Sequence, residues 1–161
     1  MRGGLAAYRA TGAELHRLYF LALLAEAYGQ VGQTEEGLTV LAEALAIANK
    51  TEERFYEAEL YRLKGELMLK QSSVRSLASS VPKEAESCFL KAIEIARHQQ
   101  AKSLELRAVM SLSRLWQQGK KTEAQQMLSE VYNWFTEGFD TKDLQEAKAL
   151  LDELAANSPS S

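Results

Sequence analysis

The chain has 161 residues, 46% hydrophobic and 25% charged, the balance of one globular domain. A formal charge of −3 argues against a generic nucleic-acid binder, and no run reaches the roughly 18 apolar residues of a membrane span. A lone cysteine, Cys88, allows no intrachain disulfide or all-thiolate metal site, and Met1-Arg-Gly-Gly4 opens no apolar leader, so the expected compartment is the cytoplasm.

Pro82 and Pro159 are the only prolines, so little interrupts a helix, and apolar residues recur at i, i+3, i+4, i+7 nearly throughout. The pattern predicts helices over about 14–30, 34–49, 54–70, 82–98, 102–118, 122–136 and 141–155, after a short one at about 4–10. Their stripes begin with Leu18, Leu21, Ala22, Ala25 and Tyr28, then Leu38, Leu41, Ala42, Leu45 and Ala48. Tyr61, Gly65 and Met68 follow, flanked by Leu60, Leu63 and Leu67, a broad apolar surface. Next come Ala85, Cys88, Phe89, Ala92, Ile93 and Ala96, then Val109, Leu112 and Trp116. The last two are Ala124, Met127, Leu128, Val131 and Phe135, and Leu144, Ala147, Leu151 and Leu154.

Local signals mark the ends. Thr11-Gly-Ala-Glu14 and Thr122-Glu-Ala-Gln125 fit the capping box, in which the side chains satisfy helix-start N–H groups. Gly29 with Gly32, Gly119 and Gly138 are expected to separate helices. Serine-rich Gln71–Ser80 reads as a mobile loop within one hairpin, and residues 158–161 as a frayed tail. The organisation is one domain over 1–157, with hairpins at about 14–49, 54–98 and 102–136 and a terminal helix at about 141–155.

Comparing the hairpins exposes a repeat. The first reads Leu24-Ala-Glu-Ala-Tyr28, then Gly37, Leu41 and Ala44; the second Lys64-Gly65 and Met68, then Ala85, Phe89 and Ala92. The third reads Leu112-Ser113 and Trp116, then Ala124, Leu128 and Val131. Small residues recur where helices cross closely, bulky ones where a neighbour packs. This resembles the tetratricopeptide pattern, L-G-x-x-Y on a first helix and A-x-x-x-F-x-x-A on a second. The resemblance implies an all-α stack of antiparallel hairpins in a short right-handed superhelix, an α-solenoid. Only Gly65 keeps the first-helix glycine, no proline follows the second helices, and the bulky positions lie 40 (68 − 28) and 48 (116 − 68) residues apart, against the family's ~34. Leu5-Ala-Ala-Tyr-Arg-Ala-Thr-Gly12, Phe89-Leu-Lys-Ala-Ile-Glu-Ile-Ala96 and Trp134-Phe-Thr-Glu-Gly-Phe-Asp140 also resemble the C-terminal repeats of large bacterial regulators. Those proteins join an ATPase module, often with a class III nucleotide cyclase, to a tetratricopeptide-like tail, which implies a piece of a longer solenoid.

Family groove positions fall on Tyr19, Ala22 and Glu26, on Glu59, Arg62 and Glu66, and on Arg107, Met110 and Arg114. The resemblance therefore implies a non-catalytic module that binds a peptide or protein in a concave groove. From Arg97 to Lys121 six Lys/Arg face the single acid Glu105, and Arg107 and Arg114 share a helix face, which favours an acidic segment. The competing expectation is internal: Glu59 and Glu66 have the same spacing and could pair with Arg107 and Arg114. The lysine and asparagine of chaperone-tail binders are replaced by Ala22 and Glu26.

Other candidates read more simply as structure. Gly119-Lys-Lys-Thr122 lacks the upstream glycine and strand of a phosphate loop. His16 and His98 have no carboxylate or cysteine at ligand spacing, Cys88 sits on an apolar stripe, and Trp116 and Trp134 fall at core positions. Neither catalytic residues nor a cofactor or metal are expected. Lys142, Asp143, Glu146, Lys148 and Asp152 give the last helix a polar outer surface. The first end, around Leu5, Tyr8, Leu15 and Leu18, is expected to stay open and to support a homodimer. A structural or dimerising tail is thus the alternative function.

Overall fold

The computed structural model describes residues 14–51, 56–75, 81–117 and 119–156, with side-chain surroundings for 17–50, 56–71, 82–117 and 119–156. Seven helices account for most of them: α1 Glu14–Gln30, α2 Thr34–Thr51, α3 Glu57–Arg75, α4 Val81–His98, α5 Lys102–Trp116, α6 Lys121–Tyr132 and α7 Lys142–Ala156. No strand occurs among the described residues, and no helix there is long and apolar enough to cross a membrane. The expected helix at 4–10, the cap at Thr11 and the tail at 158–161 lie outside them.

Each helix packs on its neighbours in the chain, and the odd-numbered helices also touch one another, α1 on α3, α3 on α5 and α5 on α7. No pair of even-numbered helices makes comparable contact among the described residues. The odd helices therefore form one continuous layer, and α2, α4 and α6 back it. The core has two parts. Leu18, Leu21, Ala22, Ala25, Leu41, Ala44, Ala48, Leu60, Leu63 and Leu67 bury together across α1–α3. Phe89, Ile93, Leu106, Val109, Leu112, Leu128, Val131, Leu144 and Leu154 bury across α4–α7, with Tyr61 and Leu69 of α3 packed against them. This explains the broad apolar surface of α3, which serves both parts.

Close crossings fall at the small residues. A Cβ on Gly65 would stand 2.6 Å from Phe89 Cε1, so only glycine lets α3 approach α4 there. Leu67 fills a slot in the first hairpin, where a Cβ on Gly29 or Gly37 would stand 2.5 or 2.8 Å from its methyls. Gly29 thus belongs inside α1 as a packing residue, not to the turn. The turn is made by Gly32 at φ +83°, with Gln33 N–H on Tyr28 O and Gly32 N–H on Gly29 O. The turn after α4 repeats this pattern with a glutamine: Gln100 takes φ +57°, Ala101 N–H reaches Ala96 O and Gln100 N–H reaches Arg97 O.

Several local expectations need correction. α3 continues through Arg75, so the first half of the serine-rich stretch is helical, and residues 76–80 are outside the described set. Serine disfavours a helix only weakly, and no Gly or Pro intervenes before Pro82, which sits harmlessly in the first turn of α4. Thr122 lies within the first turn of α6; the cap position is Lys120, which makes no side-chain cap bond. Thr141 acts as a cap instead, its Oγ1 accepting from Leu144 N–H at 3.4 Å. α6 ends at Tyr132, so Trp134 leaves the helical register and is 57% exposed, edge-on to Phe135. Ala42 is exposed, and Ala44 takes its place on the buried stripe.

Candidate functional site

The inner layer sets the polar faces of α3 and α5 side by side. Glu59 is the buried hub: Arg62 donates to it twice, Nη2 to Oε1 at 2.6 Å and Nε to Oε2 at 3.0 Å. Arg107 Nη1 from α5 stands 2.9 Å from the same Oε1. Two guanidiniums thus share one carboxylate, the planar fork geometry that arginine provides and lysine does not. Arg62 is only 11% exposed on its side chain, and its Nη1 also reaches Ser111 Oγ at 3.4 Å. Burial works against its charge, but the Glu59 hydrogen bond and the charges of Glu59, Glu66 and Glu26 outweigh it and push the pKa above the ordinary arginine value.

α7 supplies further acids. Asp143 Oδ2 lies 3.8 Å from Arg107 Nε, and Glu146 Oε2 lies 3.9 Å from Arg114 Nη2. Both had been expected on the polar outer surface of α7, but they turn towards α5. Of the internal pairing expected from the sequence, Glu59–Arg107 is present, whereas Arg114 meets Glu146 and Glu66 meets Arg62 at 3.9 Å. The positive run dissolves in the same way. Arg97 and Lys102 both reach Glu105, at 2.9 and 3.1 Å, and Lys120 approaches Glu86 at 3.7 Å and the Trp116 ring at 4.9 Å.

Two open depressions lie along this layer. One is bounded by Glu26, Arg62, Glu66, Lys70 and Arg107, the next by Glu66, Leu69, Ser111, Arg114 and Leu115. Glu66 is common to both, so they form one shallow track. Arg114, 47% exposed, is the most accessible arginine on it. Of the residues expected in a groove, Glu26, Arg62, Glu66, Arg107 and Arg114 line it. Tyr19 lies beyond its end, with its ring 5.5 Å from that of Tyr56. Glu59 is buried beneath the track, and Ala22 is buried in the core. Met110 is 3% exposed and belongs to the core of α4–α7, so a ligand on the track would not touch it.

Ser111, Asp143 and Glu146 complete the arrangement and were missed. Ser111 lies one turn from Arg107 and was detectable on that ground, but nothing in the local pattern of α7 says which way its acids turn. Among the described residues no three His, Cys, Asp or Glu side chains gather to hold a metal ion. Cys88 is half-buried, and burial pushes its thiol up, opposed by the charge of Lys64. His98 is exposed in the last turn of α4, and the side chain of His16 is outside the described set. Gly119-Lys-Lys-Thr122 follows a helix and not a strand, as a hairpin turn does. No protein-family model and no curated protein matches this chain.

Proposed function

We propose that the chain is a non-catalytic interaction module of the tetratricopeptide-like kind, which holds a peptide or protein segment along its inner layer. The observation that carries this reading is the track shared by two depressions, with Arg114 accessible beside the apolar edges of Leu69 and Leu115. Arg62 and Arg107 are held by the buried Glu59 and serve as framework, whereas Arg114 meets only the solvent-exposed Glu146, at 3.9 Å, so a ligand's carboxylate goes to Arg114 and a neighbouring apolar side chain to the leucines. The resemblance to the tails of bacterial ATPase and cyclase regulators adds a setting, cytoplasmic signalling. The alternative, a structural or dimerising tail of such a regulator, is supported by the outer edge of α1 and not by the track.

A displayed peptide library selected on the whole chain tests the inner-layer reading. Selected peptides should share an acidic residue next to an apolar one and lose about tenfold or more in affinity for Arg114→Glu, one charge-assisted bond reversed. Peptides that bind the wild type and Arg114→Glu alike would remove the track from consideration.

A further inference from the structure

Of the open first end expected around Leu5, Tyr8, Leu15 and Leu18, only Leu18 has described surroundings, and it is fully buried. Towards the other end of the chain, the turn between α6 and α7 exposes two aromatic side chains, Trp134 at 57% and Phe139 at 45%. A cleft of about 190 Å³ opens between this turn, α5 and α7. Its floor is apolar, made by the buried Leu106 and Leu144 and the half-buried Phe135. Two carboxylates stand at its mouth, the exposed Glu137 and the half-buried Asp143. The backbone fixes these walls: Gly138 takes φ +78°, its carbonyl accepts from Thr141 N–H at 2.9 Å, and Thr141 caps α7. The neighbouring cations are engaged elsewhere. Lys102 Nζ lies 3.1 Å from Glu105 and 5.7 Å from the centre of the Trp134 ring, and Lys142 lies 3.9 Å from Glu146. Arg107 is 2.9 Å from Glu59 and only 3.8 Å from Asp143. Glu137 has no ion pair or hydrogen bond among the described residues.

We propose that this cleft receives an arginine side chain of a partner protein, with its methylenes on Leu106, Phe135 and Leu144 and its guanidinium between Glu137 and Asp143. Charge and shape select that occupant. A wholly apolar side chain would strip water from Glu137 without giving it a partner. An anionic group would meet two carboxylates, which disfavours a nucleic acid or an acidic lipid surface. A bare metal ion would find only those two carboxylates as charged ligands. A long cationic side chain satisfies both parts of the cleft, because its stem is apolar and its head is charged. Arginine fits better than lysine, since its planar fork matches a carboxylate and stacks on an aromatic face such as Phe135. Trp134, edge-on to Phe135, then offers an apolar anchor to the rest of the partner segment. The cleft shares no lining residue with the depression that holds Arg114, so it does not rest on the inner-layer reading.

An NMR titration of the whole chain tests this, with a capped peptide that carries a single arginine among alanines. The same peptide with lysine, leucine or glutamate in place of the arginine serves as comparison. The arginine peptide should bind with a dissociation constant on the order of 0.1–1 mM, as one anchoring side chain allows, and move the amides of Leu106, Gly138, Thr141 and Leu144. Lysine should bind more weakly, and leucine and glutamate about tenfold more weakly or worse. Glu137→Gln, exposed and outside any helix, should weaken the arginine peptide about tenfold, one charge-assisted bond lost, without any folding question. Glu123→Gln, an exposed carboxylate on α6, should leave it unchanged. No shifts at about 10 mM peptide, shifts centred elsewhere, a lysine or leucine peptide that binds as tightly, or equal loss with Glu123→Gln would each overturn the proposal. Arg114→Glu should not alter this titration, so the cleft and the inner track stand or fall separately.

Discussion

Gly65 and Ser113 hold equivalent places in the sequence repeat, on α3 and α5. The Gly65 site leaves no room, since any Cβ would run into the Phe89 ring. Ser113 already carries a side chain there, fully buried, and its Oγ meets no hydrogen-bond partner in the protein. A buried hydroxyl without a partner costs about 1–3 kcal/mol, and serine is also the poorer helix former. Ser113→Ala should therefore stabilise the fold by about 1 kcal/mol, raising Tm by ~2–4 °C in a calorimetric scan. A fall in Tm would mean that the hydroxyl is satisfied in solution. The need for small residues was legible in the repeat, because size follows from the crossing itself. Which hydroxyl lacks a partner was not, because that depends on atoms from other helices.

At the scale of the helix, two turns compare the same backbone with different residues. Gly32 and Gln100 both take the left-handed conformation that closes a helix C-terminus through a paired 6→1 and 5→2 bond. A glutamine there carries a Cβ penalty that glycine avoids. Gln100→Gly should add about 0.5–1 kcal/mol of stability in urea denaturation, and Gly32→Gln should remove about as much although a Cβ there meets nothing within 4 Å. If both changes were neutral, the strain assigned to these turns would be absent. Helix positions were readable because the 3.6-residue period is local, and Gly32 was readable as a turn for the same reason. Gln100 gave no sign, since its conformation is imposed by α4 and α5 packing on each other. The candidate site divides the same way. Arg107 and Arg114 were recognised as sharing a face, while their acids on α7 depend on a register between helices that no single stretch of sequence records.

For the molecule as a whole, α3 is the link between two core regions, and Leu67 is one of its buried contacts with the first. Its two methyls occupy the slot made by Gly29 and Gly37, and no member of the α4–α7 core takes part in that contact. In a linear array each hairpin is stabilised by its immediate neighbours, so damage at one junction should stay near it. Leu67→Ala removes a fully buried leucine and leaves a cavity, a loss of about 2–5 kcal/mol. If coupling is local, hydrogen exchange should show α1 and α2 opening on the order of a hundredfold faster, with the slowest amides of α5 and α6 unchanged. Equal acceleration in all seven helices would instead show one cooperative unit, with α3 transmitting the defect across both core regions. Local loosening has a functional consequence as well. The Glu59–Arg62–Arg107 hub lies at the α3–α5 junction; Leu67 lines the depression beside Arg62 and Arg107 but not the one that holds Arg114. A variant loosened only at the first hairpin should therefore keep the part of its inner track around Arg114.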